Sequence, residues 1–232
     1  CVRGLPPRTW GRSMILTSAE LWAAATNCYV IAPERGGPAV IVDAPPDVDA
    51  IVRLLTAHDL VPVALLVTHG HVDHAGGVAR VVDQTGVSAY LHPDDDYLVS
   101  DPATQLRSIF GFVPPGAEEF APPERYVDLT HGQHLEFAGF DFEVRHTPGH
   151  TRGHCVFVVE EEGLLFSGDQ LFAGSIGRSD LPGGDFRMLM TSMRTHVMTL
   201  PDDTRVLPGH GPETTIGRER VVNPFIVEYL DI

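Results

Sequence analysis

A mixed α and β domain is the fold class the sequence predicts, on three observations. Short apolar runs of strand type alternate with stretches whose apolar residues recur at helical spacing. Glycine and proline, at 23 and 19 residues, punctuate the junctions between them. A hydrophobic content of 43% with 20% charged residues, over 232 residues, is enough to build a substantial core. The length permits one large domain or two small ones, and residues 14–232 are read as one. Residues 1–13 are polar and irregular, without the apolar stretch of a signal peptide. They are read as an amino-terminal extension, with Met14 the more natural start.

Taken in order, residues 27–32 and 39–42 read as strands around a turn at 33–38 that is rich in proline and glycine. Residues 47–58 place Val48, Ile51, Leu54 and Leu55 on one helical face, behind a cap at Pro46 or Asp47. Residues 61–68 form an apolar strand that delivers a histidine cluster. Residues 75–84 read as a helix with Val78, Val81 and Val82 inward, and 87–91 as another strand. Residues 133–137 and 140–146 alternate about Ala138-Gly139, which signals a hairpin. Residues 155–159 and 164–167 form a second hairpin over 160–163. Helical periodicity returns at 186–200 and at 214–222. Residues 94–126 break the pattern, since Pro102, Pro114, Pro115, Pro122 and Pro123 leave little regularity. That segment is read as a loop or short helices over the functional site.

Composition excludes several functions. A formal net charge of −15 argues against binding nucleic acid through bulk electrostatics, because phosphate backbones need a basic surface. No apolar run approaches the roughly 20 residues that cross a bilayer. The three cysteines, Cys1, Cys28 and Cys155, are odd in number and show no C-x-x-C spacing. They point to structural thiols in a reducing compartment, so a cytoplasmic location is expected.

The segment Thr68-His69-Gly70-His71-Val72-Asp73-His74 packs four potential metal ligands into six residues. Chance composition produces H-x-H-x-D-H about once in a few hundred chains of this length. Three histidines and a carboxylate this close cannot all serve as neutral packing groups, since burial without partners is costly. Further candidates follow where strands end: His150 in Pro148-Gly149-His150, Asp169 in Ser167-Gly168-Asp169, and His210 in Pro208-Gly209-His210. Glycine and proline at each mark turns that stop a strand and present the next side chain at its tip. No G-x-S-x-G nucleophile elbow is present, since residues 173–177 read Ala-Gly-Ser-Ile-Gly.

With H-x-H-x-D-H followed by histidine, aspartate and histidine, the chain resembles the metallo-β-lactamase superfamily over nearly all of its length. The resemblance implies a four-layer αββα sandwich with two metal ions at one edge of its sheets. It implies that His69, His71 and His150 hold the first ion, Asp73, His74 and His210 hold the second, and Asp169 bridges them. Asp73 is also implied to orient the attacking hydroxide. Such donors suit two divalent ions, zinc above all, with iron or manganese compatible.

Residues 166–172 (Phe-Ser-Gly-Asp-Gln-Leu-Phe), the glycine-rich stretch 174–185, Pro208-Gly-His-Gly-Pro-Glu-Thr-Thr-Ile-Gly217 and Asn223-Pro224-Phe225 look like the short bacterial branch of the glyoxalase II-like hydrolases. What this implies is metal-dependent cleavage of an acyl thioester of a low-molecular-weight thiol, such as S-lactoylglutathione, by a hydroxide shared between the ions. Two features depart from that family. The chain stops at Ile232, where glyoxalase II carries a helical region that helps hold glutathione. Its loop reads Gly177-Arg178-Ser179-Asp180, where that enzyme has a lysine and then a tyrosine. Arg178 is a candidate clamp for a substrate carboxylate, with Asp180 in place of the aromatic hydroxyl. The alternative is that the two pair with each other and fix the loop. Lactonases share the full ligand set. Mono-iron persulfide dioxygenases have a similar loop but depart from Pro208-Gly-His-Gly-Pro. β-Lactamases of this fold usually carry cysteine or histidine where Asp169 stands, which disfavours antibiotic hydrolysis. A small-molecule thioester is therefore the expected partner, with no nucleic acid and no membrane, and the oligomeric state is left open.

Overall fold

Alternating side chains along the strands sort the apolar residues onto separate surfaces, and those surfaces define the layers. The computed structural model describes residues 14–113 and 117–229. The extension expected at residues 1–13 lies outside them. The first sheet contains β1 (Ile15–Leu21), β2 (Thr26–Ala32), β3 (Pro38–Val42), β4 (Val61–Leu66), β5 (Ala89–Leu91) and β6 (Val127–Asp128), side by side in chain order. Pairing is antiparallel from β1 to β3 and parallel from β3 to β6. The second sheet is formed by β7 (His134–Phe137), β8 (Phe140–His146), β9 (Cys155–Val159), β10 (Leu164–Gly168), β13 (Arg205–Pro208) and β14 (Thr214–Thr215). Its spatial order is β14-β13-β10-β9-β8-β7, and a separate ribbon pairs β11 (Leu171–Phe172) with β12 (Ser175–Ile176).

Between the sheets, Tyr29, Ile31, Val40, Val42 and Leu66 meet Phe142, Val144, Phe157, Phe166 and Leu207. The intervening residues Cys28, Val30, Ile41 and Leu65 face outward. They are covered by Val48, Ile51 and Leu55 of α1 (Val48–Ala57) and by Val78 and Val81 of α3 (Val78–Thr85). On the far side, Val156, Val158, Leu165 and Val206 pack against Leu189 and Met190 of α6 (Phe186–Ser192) and Ile216 of α7 (Ile216–Val222). The result is helix, sheet, sheet, helix: the expected αββα sandwich, in which each sheet buries both faces.

Several elements depart from expectation, each for a local reason. The helix expected at 75–84 is two: a single turn, α2 (Val72–Ala75), and then α3. They are separated at Gly76-Gly77, where a Cβ on Gly77 would collide with the carbonyl of Pro45. The helix at 186–200 is α6 followed by a π-helical turn over Met193–Val197. Residues 214–222 begin as the two-residue strand β14 before α7, and α8 (Pro224–Tyr229) follows. Strand β1 was not anticipated. The turn joining it to β2 uses Trp22 and Ala25 at φ of 60° and 54°, without the glycine or asparagine that normally announces a tight turn. The segment 94–126 contains the short helices α4 (Asp96–Val99) and α5 (Pro102–Phe110), with single 3₁₀ turns on either side. Among the described residues, no helix is long and apolar enough to cross a membrane.

Candidate metal centre

Strands β3, β4, β8, β10 and β13 all run out at one edge, and the residues just beyond them meet there. Asp43 follows β3, Thr68 and His69 follow β4, His150 follows β8, Asp169 follows β10, and His210 follows β13. Helix α2 adds Asp73 and His74, with His71 at its amino-terminal boundary. All seven residues expected as ligands come together, in two groups joined by Asp169.

In the first group, His69 Nε2, His71 Nδ1 and His150 Nε2 form a triangle with sides of 3.1, 2.9 and 3.2 Å. The hydrogen bonds behind them fix which nitrogens carry protons. The Thr68 hydroxyl donates to Asp43 Oδ2 at 2.9 Å, so its oxygen accepts from His69 Nδ1 at 3.0 Å. His150 Nδ1 donates to the carbonyl of Arg178 at 2.6 Å. Both Nε2 atoms therefore turn bare lone pairs toward the centre of the triangle. Burial and the neighbouring imidazoles hold His69 well below the usual imidazole range, and they push His71 down to about 3. Both rings are neutral near pH 7. Lone pairs face to face at this spacing repel one another unless a cation lies among them. A tetrahedral ion with bonds of about 2.0–2.1 Å needs nitrogens about 3.3 Å apart, close to what is observed.

In the second group, His74 Nδ1 donates to Asp43 Oδ2 at 2.8 Å, which directs Nε2 toward Asp169 Oδ1 at 3.3 Å and Asp73 Oδ2 at 3.4 Å. His210 Nε2 lies 3.2 Å from Asp73 Oδ2 and 3.5 Å from Asp169 Oδ2. Asp169 Oδ2 is also 3.5 Å from His150 Nε2, so this one carboxylate touches both groups. Its Oδ1 is buried and accepts no well-aligned hydrogen bond despite the nearby imidazole, the condition of an oxygen shaped for an ion. Burial disfavours the charged forms throughout, yet attraction wins. The Asp169, Asp73 and Asp43 carboxylates raise His74 well above its ordinary value. Reciprocally, His74 and its neighbours hold Asp73 and Asp169 below the carboxylate range. The donor set, mutual spacing and orphaned oxygen fit two divalent ions.

Residues not singled out in the sequence hold this arrangement. Asp43 supports both groups, through Thr68 and through His74. The buried His154 accepts from the Asp169 backbone N–H through Nε2 at 3.0 Å, while its Nδ1 donates to the Thr147 hydroxyl at 2.9 Å. Thr26 donates to Asp73 Oδ2 at 2.9 Å. Asp95 accepts from Gly70 N at 2.9 Å, Thr151 Oγ1 at 2.7 Å and Gly153 N at 2.6 Å, tying the His71 loop to the His150 loop. Gln105 braces the same loop, donating to the Gly70 carbonyl at 2.9 Å and accepting from Val72 N at 3.1 Å. Gly209 is required by contact: a Cβ there would collide with Asp169 Oδ1 and crowd His74 Cε1.

Arg178 and Asp180 pair with each other, at 2.8 and 2.9 Å, and both are exposed. The loop-fixing alternative is the one this geometry supports, and the contribution of Arg178 to the centre is its carbonyl on His150. A separate grouping of His92, Asp94 and His146 does not make a metal site. The two rings stack in parallel at 3.9 Å and 7°, so their in-plane lone pairs do not converge on one point. Cys28 and Cys155 are fully buried, and burial pushes both thiols up, so neither is a nucleophile.

The sequence profile of the metallo-β-lactamase superfamily matches residues 21–210. Among curated proteins, the hydroxyacylglutathione hydrolase GloC of Haemophilus influenzae is 36% identical over 200 residues, covering 86% of this chain and 92% of its own. Among solved structures, the BLEG-1 B3 metallo-β-lactamase superposes with a TM-score of 0.82 at 38% identity, covering 91% of this chain and 99% of its own. TTHA1623, solved in a di-iron-bound form, gives a TM-score of 0.79 at 38% identity, covering 90% of this chain and 99% of its own. Profile, relatives, layers and histidine–aspartate cluster agree: the chain belongs to the metallo-β-lactamase superfamily, as one of its metal-dependent hydrolases.

Proposed function

We propose that this chain hydrolyses acyl thioesters of a low-molecular-weight thiol, with S-lactoylglutathione as the reference substrate. In this reading His69, His71 and His150 would hold one divalent ion and Asp73, His74 and His210 a second, with Asp169 shared between the two groups. Zinc is the assigned metal. Iron is the alternative, because the related TTHA1623 was solved with two irons. Bound there, two divalent ions would supply Lewis acidity, lowering the pKa of water and polarising a carbonyl.

The protein's own groups do the rest. Asp73, kept anionic and held by the Thr26 hydroxyl, is placed to orient the attacking water or hydroxide. His154 and Asp43 hold the Asp169 backbone and His74 in place as charge redistributes. A thiolate leaves with little acid assistance, since thiol pKa values near 8.5 lie far below those of alcohols or amines. That makes thioesters an easy substrate for a site with no dedicated general acid. The convergence of seven ligand-type side chains at one sheet edge carries the reading, and the name of the Haemophilus relative supplies the substrate class. The net charge of −15 supports a small-molecule substrate over nucleic acid, and the free thiols of Cys28 and Cys155 suit the cytoplasmic setting we propose.

A second reading, β-lactam hydrolysis, is favoured by the 38% identity to BLEG-1. The test is hydrolysis of S-lactoylglutathione and of a chromogenic cephalosporin by protein loaded with zinc or iron, with ion content measured alongside. Thioester turnover at or above about 10⁴ M⁻¹s⁻¹ in kcat/KM supports the first reading. Protein that carries both ions yet hydrolyses neither S-lactoylglutathione nor any acyl thioester of N-acetylcysteamine overturns it, and cephalosporin turnover in its place supports the second.

A further inference from the structure

A small cleft with about 80 Å³ of interior space opens beside His71, walled by α4, α5 and the turn at residues 181–182. Its lining includes polar residues by name, yet apart from His71 and one Asp101 oxygen their polar atoms are committed elsewhere in the protein. The Tyr97 hydroxyl donates to the Pro182 carbonyl at 3.1 Å. Asp101 accepts from Thr104 N at 3.0 Å, capping α5. The Ser108 hydroxyl donates back to the Thr104 carbonyl at 2.9 Å. Gln105 spends both ends of its amide on the backbone of Gly70, Val72 and Leu98. What otherwise faces the cleft is carbon, from Leu98, Leu181, Pro182, the Tyr97 ring and the stems of the α5 residues. Among the described residues no arginine lines it, and the chain contains no lysine.

Small thiol carriers are polar and many are anionic, and this cleft offers them no lysine or arginine, while the exposed Asp101 carboxylate at its wall would repel an anion. Entry of such a group would strip its water without replacement, at a cost that burial of its few carbons does not offset. A hydrocarbon chain fits on both counts. We propose that the cleft receives the acyl chain of the thioester, and that this chain is apolar and short, of the butyryl to hexanoyl class. The inference rests on the thioester reading. It puts the carbonyl next to His71, the acyl tail against α5, and the polar carrier on the solvent side.

The test uses the metal-loaded full chain with acetyl, butyryl, hexanoyl and octanoyl thioesters of one neutral carrier, N-acetylcysteamine. The expected result is a rise in kcat/KM of up to about fourfold for each methylene that becomes buried. Two variants on the exposed face of α5, Thr104→Trp and Ser108→Trp, fill the cleft and should flatten that rise. Hydrolysis with a flat or falling chain-length profile in the unmodified protein overturns the inference and leaves the thioester reading intact. A rise that survives both tryptophan variants also overturns it, because the chain then lies elsewhere. No hydrolysis of any member by protein with both ions bound removes the thioester reading, and the inference with it.

Discussion

Replacing Asp43 with asparagine changes one oxygen to an amide nitrogen, yet it should disturb ligands in both groups. Asp43 sits at φ 61°, a conformation that asparagine tolerates as readily as aspartate, so the backbone need not move. Its carboxylate accepts from Thr68 N at 2.7 Å through Oδ1, and from Thr68 Oγ1 at 2.9 Å and His74 Nδ1 at 2.8 Å through Oδ2. If the amide NH₂ takes the Oδ2 position, it donates to His74 Nδ1 and forces the proton onto Nε2, the atom aimed at the second group. The Thr68 hydroxyl loses its acceptor and turns its proton toward His69 Nδ1, which moves the His69 proton onto Nε2 as well. If the amide flips, NH₂ faces the Thr68 N–H, donor against donor. Either way the supporting network fails. Loss of such a partner costs about 10- to 100-fold in metal affinity, or about 1.4–2.8 kcal/mol. Competition with a chromogenic chelator reads the affinity, and nitrogen-detected NMR of the imidazoles reads the tautomers. Wild-type affinity for both ions, with unchanged tautomers, would refute the reasoning and reduce Asp43 to a packing residue.

Three further outcomes follow from the same geometry. Asp169→Ala should take the protein from about two ions per chain to one or fewer, with activity lost in step, as elemental analysis and turnover would show; two ions and full turnover would exclude a bridging role. His74 and His210 are both raised and must be deprotonated on metal uptake, whereas His69 and His71 are lowered and already neutral, so filling the second group at neutral pH should release protons. Its affinity should therefore rise with pH toward the raised pKa of His74, which titration calorimetry in buffers of different ionisation enthalpy can detect; no buffer dependence would argue against a protonated His74. Cys28 and Cys155 should resist a thiol reagent in the native state and react on denaturation, because both are buried and their thiols are held protonated.

The layers were legible because burial on both faces leaves a mark in sequence. Strands β2, β9 and β10 are buried along their whole length, and they read as unbroken apolar runs bounded by turn residues. Strand β1 left no such mark. It pairs at the edge of its sheet, is only partly buried, and is followed by a turn made by Trp22 and Ala25. The broken helix at 75–84 shows the same limit. Helical periodicity continues across Gly76-Gly77, and the break comes from Ala44 and Pro45, some thirty residues upstream.

The ligands were legible for another reason: four lie within six residues, and the others sit beside glycine or proline at strand ends. Their supports carry no such signature. Asp43 stands in Val-Asp-Ala-Pro-Pro and reads as a turn, and Asp95 stands in a run of three aspartates and reads as a solvated face. Each gains its role only from groups that folding brings close, Thr68 for the one, Gly70 and Gly153 for the other. His154 had one available signal, its four-residue spacing from His150 in a loop that already contained a ligand.

The segment 94–126 joins these two themes. Asp95 and Gln105 fix the loop that carries His71, while Thr104 and Ser108, on the exposed side of the same α5, wall the adjoining cleft. One short piece of chain thus braces the loop of the candidate ligands with its buried polar groups and walls the proposed acyl cleft with its outer ones. Substitution on the outer face can change which acyl group is accepted while the centre keeps its geometry. Substitution of Asp95 or Gln105 cannot be confined in that way, since Gly70, Thr151 and Gly153 would lose their acceptor, or Gly70 and Val72 their brace. The irregularity that hid this segment from pattern reading has a local cause: Pro102 disfavours helical backbone at Asp101, so α4 ends at Val99 and α5 starts afresh behind the Asp101 cap, leaving pieces too short to show a period.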